Sequence, residues 1–277
     1  MPRILNDVGT TTSRGGAFRK VRVLILLAVL VVVLLYAFKD VWRRRQRTSW
    51  QRPLNIALVL LERGKVDAAA ISALKQRVPA LEEQLAREYA RYGGTGRPFG
   101  FTLYGPVDAS GPAPAPNSEG WFDLGEYAVR SWFYFRDANA RADVPAAGYD
   151  SIVYLVLRPP WRERVSSVEG QSEQGGRIGT VEVELRESMV DFALFVATHE
   201  LFHTLGATDK YDAAGYALLP DGLAEPDKQP LFPQTRAEVM ARNVALERGV
   251  ERPPDTLAEL AVGRTTAREI GWAHAAK

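Results

Sequence analysis

The sequence predicts an α+β domain, in which helices pack on a mixed β-sheet and one buried helix carries the functional groups. Strand-length apolar runs alternate with segments of helical periodicity between residues 54 and 186. One later helical segment contains two histidines and a glutamate, at residues 199–203. Hydrophobic residues make up 46% of the 277-residue chain, which is sufficient for a large core.

The N-terminal segments differ in composition from the rest. Residues 1–22 are polar and basic, which is typical of a disordered tail. Residues 23–38 are uninterruptedly apolar, with Lys and Arg on both sides, so we expect one transmembrane helix over residues 23–42 and a basic linker over residues 43–52. A cleaved signal peptide is an alternative, but the following residues lack the small side chains of a cleavage site. The basic flanks argue against a buried core helix.

Residues 53–277 are expected to form the folded domain. An apolar run at residues 54–61 is typical of a central strand covered on both faces. Apolar residues then recur every three or four positions between residues 71 and 85, which predicts a helix that Pro79 kinks or divides. Two further strands are expected, at residues 99–104 and 152–157.

The segments between these strands and the histidines are less regular. Residues 121–140 are rich in aromatic side chains, for which we expect core packing rather than a substrate groove or a membrane contact. Residues 161–177 are charged and rich in Gly and Ser, which indicates a mobile loop. Residues 178–185 alternate apolar and acidic side chains, a pattern that favours a half-exposed strand at the edge of the sheet.

The sequence His-Glu-Leu-Phe-His at residues 199–203 predicts a zinc site. In a helix, His199 and His203 project from the same face, and their imidazoles can bind one Zn²⁺ at roughly 2.0–2.1 Å per nitrogen. Glu200 lies beside the first of them, where its carboxylate can take a proton from water. A chance occurrence on an ordinary core helix is the alternative, but buried polar groups need partners and a metal ion supplies one.

The zinc-binding helix is expected to cover residues 188–205. Ser188 and Asp191 have the spacing of a capping box at its start. Gly206 ends it, because glycine readily adopts the positive φ that reverses the chain. That reversal can bring Asp209 round as the third ligand, and Asp212, three residues later, is the rival.

With Gly206 and Asp209 the pattern becomes H-E-x-x-H-x-x-G-x-x-D, which resembles the metzincin clan of zinc-dependent endopeptidases in the variant with Asp in place of a third His. The clan also has a methionine turn beneath the metal, and residues 238–241 (Glu-Val-Met-Ala) are similar to it. Residues 263–272 resemble the terminal helix of bacterial members. The resemblance covers residues 53–273 and implies a metzincin-like catalytic domain, with a smaller C-terminal subdomain that closes the cleft.

The resemblance implies a zinc metallopeptidase that hydrolyses peptide bonds in a polypeptide substrate. One catalytic zinc ion would be held by His199, His203 and Asp209. Glu200 would act as the general base and then pass the proton to the leaving amine.

Further roles follow for residues around this site. Tyr211 or Tyr216 would help zinc to hold the oxyanion. Many clan members place a tyrosine two residues after the turn methionine, where this chain has Arg242. The substrate would add a strand along the edge formed by residues 178–186.

The expected location is the bacterial inner or plasma membrane, which the chain would cross once, with lipid as a partner of the N-terminal helix. Basic residues are almost equally frequent on the two sides of the apolar run, so the positive-inside rule does not decide orientation. Analogy with secreted relatives favours an extracytoplasmic catalytic domain.

Composition restricts other cofactors and partners. A net charge of +2 gives no electrostatic case for nucleic acid. Cysteine is absent, which excludes disulfides, thiolate ligands and cysteine nucleophiles. Calcium is the other metal considered, but the acidic residues after the zinc motif lack the spacing of a known calcium loop. These are Asp212, Asp221, Glu225 and Asp227.

The alternative function is a catalytically inactive, membrane-tethered binding module with a structural zinc site. Glu200 is the feature that argues against it, because a structural site needs ligands but no base. Metal content together with chelator-sensitive hydrolysis would separate the two functions.

Overall fold

The computed structural model describes residues 14–109, 111–115, 120–159, 168–172 and 175–273. The chain divides into two compact units, Met1–Gln46 and Arg47–Lys277. The α-helices are α1 (Arg14–Arg47), α2 (Ala68–Ala90), α3 (Trp121–Arg141), α4 (Val190–Thr204) and α5 (Arg264–Glu269). The strands are β1 (Leu54–Glu62), β2 (Phe99–Asp108), β3 (Ser151–Arg158), β4 (Val168–Ser172), β5 (Ile178–Glu184), β6 (Ala237–Glu238), β7 (Val244–Glu247), β8 (Val250–Arg252) and β9 (Leu260–Ala261).

Helix α1 dominates the first unit, and its side chains at residues 19–35 are exposed. Among the helices of the described ranges, none combines the length and the apolarity that crossing a membrane requires. The expected transmembrane helix at residues 23–42 is therefore wrong, and so is the single-pass bacterial membrane location that rested on it. The uninterrupted apolar run spans only ~24 Å, against a hydrocarbon core of ~30 Å, and charged side chains bound it on both sides.

A five-stranded sheet in the order β2-β1-β3-β5-β4 forms the centre of the second unit. Strand β1 pairs in parallel with β2 and β3, and β3 pairs in parallel with β5. Strand β4 is antiparallel to β5. The predicted mixed sheet with packed helices is confirmed, and β1 is an interior strand that is buried from Ile56 to Leu61, as its apolar run predicts.

Helices α2 and α4 pack on one face of this sheet. Helix α2 presents a single apolar stripe, as its three- and four-residue spacing predicts, and runs unbroken through Pro79. The core between these helices and the sheet contains the larger set of buried apolar side chains. Helix α4 packs against β5 on one side and contacts the C-terminal segment on another, which fixes the positions of its polar residues.

Helix α3 lies on the opposite face, where the expected core packing of its aromatic residues is only partly right. Tyr134 and Phe135 pack on the sheet beside the buried Ala138. Trp121 and Phe122 are 90% and 95% exposed. The aromatic residues of α3 are distributed over all its faces, but only one face contacts the sheet. The aromatic side chains on the other faces therefore remain exposed to solvent.

The prediction that residues 178–186 form a sheet edge is wrong. Strand β5 is paired on both sides, because β4 forms within the segment that was expected to be a mobile loop. The alternation that suggested exposure has another cause: Glu182 accepts hydrogen bonds or ion pairs from Arg63 and Arg158 at 2.8 and 3.0 Å. Residues 161–167 and 173–174 of that segment lie outside the described residues.

The C-terminal part consists of short elements that follow α4. Strand β6 pairs with β9, and β7 forms a hairpin with β8. Helix α5 lies within the expected terminal helix at residues 263–272 but is shorter, Arg264–Glu269. Buried residues of this part, including Met240 and Trp272, join the core beneath α4. It therefore closes one side of the region that holds the histidines.

Candidate metal centre

Helix α4 buries His199 and Glu200 of the zinc motif and leaves His203 half-buried. His199 and Glu200 are 2% and 3% exposed. The expected capping box is wrong, because the start of α4 has no side-chain cap. Asp191 instead accepts hydrogen bonds from the Arg77 guanidinium at 2.6 and 2.8 Å and from the Leu257 amide at 3.0 Å. Asp191 thus ties α4 to α2 and to the C-terminal segment.

The loop after α4 brings a carboxylate back to the histidines. Gly206 has φ +104°, the left-handed conformation expected of it, and its amide donates to the carbonyl of His203 at 2.9 Å. The Ala207 amide donates to the carbonyl of Phe202 at 3.1 Å. This reversal places Asp209 against both imidazoles.

The predicted ligands His199, His203 and Asp209 form a compact triangle of donor atoms. The Nε2 atoms of the two histidines lie 3.1 Å apart. Oδ1 of Asp209 lies 3.3 Å from Nε2 of His199 and 3.1 Å from Nε2 of His203. Ligand atoms of a tetrahedral zinc ion, each at ~2.0–2.1 Å from the metal, are separated by ~3.3 Å. The triangle therefore has the size that zinc requires.

Hydrogen bonds at the other ring nitrogens fix the orientation of both imidazoles. Nδ1 of His199 lies 3.0 Å from the carbonyl oxygen of Val239, and Nδ1 of His203 lies 2.9 Å from that of Ala207. A carbonyl only accepts, so each Nδ1 carries a proton, and each Nε2, which faces the centre of the triangle, is the nitrogen left to bind a proton or a metal ion. Metal-binding histidines have this arrangement.

The charges of the site also suit a cation. Burial opposes ionisation of Asp209, but hydrogen bonds from His199 and His203 hold its pKa well below its usual range. Burial lowers the pKa of His203, while the hydrogen bonds with Asp209 and the Ala207 carbonyl outweigh it and raise that pKa. The carboxylate thus attracts positive charge into the triangle, which a divalent ion would supply in place of protons.

Glu200 lies next to the triangle, but its carboxylate is not one of the three groups that form it. Its Oε1 is 3.9 Å from Nε2 of His199. Its Oε2 is buried, and within the part of the chain that the structure describes no hydrogen-bond donor reaches it. The backbone of Gly179 in β5 comes so close that an added Cβ would lie 3.1 Å from Cβ of Glu200. A buried carboxylate oxygen without a donor is costly unless water or a cation meets it.

The residues present therefore fit a zinc ion, with two imidazoles and one carboxylate as ligands and a second carboxylate beside them. Asp209 has a 42% exposed side chain, whereas His199 and Glu200 are buried. Solvent thus reaches the site from the side of Asp209.

Asp212 and the acids that follow it are engaged elsewhere. Oδ1 of Asp212 accepts from the amides of Ala214 and Tyr216 at 2.9 and 3.0 Å, which stabilises the local turn. The other acids each have a separate partner, so the described residues do not bring them together as a calcium site. Asp221 accepts from Thr265, Asp227 pairs with Arg264, and Glu225 accepts from Thr235.

Of the two candidate tyrosines, Tyr211 lies beside the candidate ligand His199. Its ring is parallel to that of His199 within 21°, with centroids 6.3 Å apart. Burial and the Asp209 carboxylate raise the pKa of Tyr211, and the Arg242 guanidinium acts in the opposite direction, so the phenol remains a donor at neutral pH. Tyr216 has a 44% exposed side chain and lies in the turn that Asp212 stabilises.

The segment that resembles a methionine turn is held by a buried carboxylate that sequence reasoning missed. Oε2 of Glu238 accepts from the amides of Met240 and Ala241 at 2.6 and 3.0 Å. Oε1 accepts from the Gly263 amide at 3.1 Å and from the Thr266 hydroxyl at 2.7 Å. Val239 lies between Glu238 and Met240, and its carbonyl orients His199, so Glu238 fixes both the turn and one of the candidate ligands.

The Glu238 carboxyl should make stability depend on pH. Burial raises its pKa from an ordinary 4.5 to about 7, despite the four hydrogen bonds. Between these values the folded state keeps a proton that the unfolded state has released, so the stability contribution is complete below pH ~4.5 and is lost as the pH rises through ~7. The loss should amount to roughly 3 kcal/mol.

Urea unfolding of wild type and Glu238→Gln at pH 5 and pH 8 measures this effect. The wild type should lose stability relative to the variant at the higher pH, although the variant is less stable at both because its amide faces donors. Parallel pH dependences in the two proteins would show that Glu238 does not titrate in this window.

A second missed residue, Glu269 of α5, holds both neighbours of Asp209. Its carboxylate accepts from the amide and hydroxyl of Thr208 at 3.1 and 2.8 Å. The buried ammonium of Lys210 donates to both of its oxygens at 2.9 Å. The Lys210 amide also donates to the Met240 carbonyl at 2.9 Å. This set, the Glu269 clamp (Thr208, Lys210 and Glu269), positions the loop that carries Asp209, the candidate third ligand.

Glu269→Gln is expected to weaken zinc binding although Glu269 is not a ligand. Outer groups that orient ligands typically contribute ~10–100-fold in affinity, and we expect the lower end of that range here. Competition with a chelator gives the affinity. Glu259→Gln is the matched control, because it breaks the ion pair with Arg252 in the same part of the chain. Equal zinc affinity of both variants would mean that the clamp does not position Asp209.

Little in the sequence marked these residues. Glu238 and Glu269 belong to no spacing motif, and each acts through backbone groups that are distant in sequence. One signal was present: Glu238 is the first residue of the segment that resembles the methionine turn, where an acidic side chain can accept hydrogen bonds from backbone amides.

Comparisons with known proteins give little further information. No protein-family model matches the chain, and no curated protein matches it. Among solved structures, the chain is similar to the crystal structure of archaemetzincin from Methanopyrus kandleri, with a TM-score of 0.32 and 18% identity over 57% of this chain and 76% of that one. At this TM-score the likeness carries no argument, so the interpretation rests on the sheet and the site themselves.

Proposed function

We propose that residues 53–277 form a zinc-dependent endopeptidase of the metzincin type. The observation that carries this proposal is the combination of the donor triangle with a buried carboxylate beside it. His199, His203 and Asp209 have the spacing of zinc ligands, and Glu200 has an oxygen for which the described residues offer no donor. A bound zinc ion would supply Lewis acidity, which activates water and polarises a carbonyl group.

Each protein group has a defined part in the reaction. Glu200 takes the proton from the attacking water and then donates it to the nitrogen of the leaving amine. The carbonyls of Val239 and Ala207 keep both histidines in the tautomer that binds metal. Tyr211, a neutral donor beside Asp209, can donate a hydrogen bond to the substrate's carbonyl oxygen.

An extended substrate would pair with β4 rather than with β5. Strand β5 has partners on both sides, whereas β4 ends the sheet in the described part of the chain. Backbone groups along its outer side can accept a peptide as an additional strand.

The alternative of a binding module with a structural zinc ion is less well supported. Such a site needs its three ligands but has no use for Glu200. Keeping this carboxylate buried without a donor costs free energy, which a catalytic role explains and a structural role does not.

The test is metal analysis combined with hydrolysis of unfolded casein. One zinc per chain is expected, together with hydrolysis that a chelator abolishes and added zinc restores. Zinc at this stoichiometry without any hydrolysis of casein or of a peptide library would favour the binding module. Absence of stoichiometric zinc would contradict both.

A further inference from the structure

The Arg242 side chain lies next to the candidate metal centre. Among the described residues, it forms no ion pair that would stabilise the fold. Its guanidinium carbon is 5.7 Å from the centroid of the Tyr211 ring. That ring in turn stacks on His199. Among the described residues, no carboxylate lies within ion-pair distance of Arg242, whereas many other arginines of the second unit form ion pairs. A half-buried cation thus faces the site without a structural anion.

The backbone at Arg242 is also unusual. Its φ is +74°, in the left-handed region that disfavours a residue with a Cβ. Its amide donates to the Glu238 carbonyl at 3.0 Å, at the end of the turn that the Glu238 carboxylate fixes. Glycine would suit this position better, so holding an arginine here is unfavourable locally. Unfavourable backbone conformations of this kind concentrate at functional sites.

Tyr211 connects Arg242 to the metal ligands. Its ring centroid lies 5.7 Å from the guanidinium carbon of Arg242 and 6.3 Å from the ring centroid of His199. The exposed side chain of Asp209 marks the side from which solvent reaches the site. Tyr211 and Arg242 are half-buried, whereas Glu200 is buried, so a substrate can contact these two side chains from solvent.

We propose that Arg242, together with Tyr211, stabilises the oxyanion that develops on the scissile carbonyl, and this inference rests on the proposed peptidase function. The guanidinium supplies a permanent positive charge and a fork of N–H donors. Such donors stabilise a transition state most when they are preorganised, and the rigid turn at Glu238 and the stacked Tyr211 ring provide that. Arg242 is then a catalytic residue that touches the reacting oxygen.

Arg242→Gly tests this role without endangering the fold, because glycine adopts the observed φ without strain. In zinc-loaded protein, kcat for a cleaved peptide should fall ~10²-fold with little change in KM or in zinc affinity, since oxyanion donors typically contribute ~10²–10³. Arg242→Lys, which keeps the charge but not the fork, should lose less. Guanidinium ion added to Arg242→Gly should restore part of the rate. Arg248→Gly, an exposed arginine in the following hairpin, is the matched control.

A second measurement does not depend on catalysis. Inorganic phosphate, a tetrahedral oxyanion, should bind the zinc-loaded wild type ~10-fold more tightly than zinc-loaded Arg242→Gly, as followed by calorimetry, because a guanidinium–phosphate pair is charge-assisted. If phosphate binding depends on Arg242 but the protein hydrolyses no peptide, Arg242 forms an anion site and the proposed peptidase function is overturned.

Other results would overturn the proposal itself. Hydrolysis by Arg242→Gly at the wild-type rate would do so while leaving the peptidase function intact. An increase in KM confined to substrates with a free C-terminal carboxylate, with kcat unchanged, would assign Arg242 to substrate recognition instead. Equal phosphate affinity of the two proteins would show that the guanidinium does not reach an oxyanion at the metal.

Discussion

Replacing Glu200 by glutamine should lower the rate of peptide hydrolysis by ~10²–10⁴-fold, the usual contribution of a general acid–base group, while zinc remains bound. The amide has nearly the same shape as the carboxylate but cannot accept a proton at neutral pH. The ligand atoms of His199, His203 and Asp209 are untouched by the change. Steady-state kinetics on a cleaved peptide and zinc content of the purified variant measure both parts.

Glu187→Gln is the control for this prediction, because Glu187 is exposed and lies in the turn before α4. It should keep full activity. A Glu200→Gln protein that hydrolyses peptides at a rate near that of the wild type would exclude Glu200 as the base. Loss of zinc from that variant would instead show that Glu200 belongs to the metal ligands.

The second large effect concerns the third ligand. Asp209→Ala should weaken zinc binding by more than the ~10–100-fold that is typical of groups which only orient a ligand. Its Oδ1 lies 3.3 and 3.1 Å from the two histidine nitrogens and supplies the only negative charge of the triangle within the described residues. Titration of the zinc-loaded protein against a chelator of known affinity gives the ratio to wild type.

Asp212→Ala is the matched comparison, since it removes the rival carboxylate from the same loop. Asp212 accepts from amides of its own turn, so its loss should cost a little local stability and leave zinc affinity near that of the wild type. If the order of the two variants were reversed, the third ligand would be Asp212, and the metzincin interpretation would lose its distinguishing residue.

Sequence reasoning succeeded where a local pattern determines local geometry. One helical turn fixes the relation of His199 to His203, and a glycine with positive φ fixes the return of the chain to Asp209. Strand β1 was predictable because a strand buried on both faces has no polar side. In each case the information lies within a few residues of the feature.

It failed where partners come from distant segments. The acidic alternation of β5 looked like solvent exposure, but Arg63 and Arg158 meet Glu182 there. The sequence position of Asp191 suggested a helix cap, but its carboxylate instead accepts from the Arg77 guanidinium and the Leu257 amide. Charged side chains report that a polar partner exists, and the sequence does not say whether this partner is water, a cap or another residue.

The Glu269 clamp joins metal loading to the docking of the last helix. Such coupling is reciprocal: the factor by which the closed clamp raises zinc affinity is also the factor by which bound zinc raises the equilibrium constant for closing the clamp. Backbone amides along residues 264–273 should therefore exchange their hydrogens more slowly in the zinc-loaded protein, although they lie far from the ligands in sequence. Conversely, fraying of this segment would release zinc, so that the affinity for the metal reports on the integrity of the C-terminal fold.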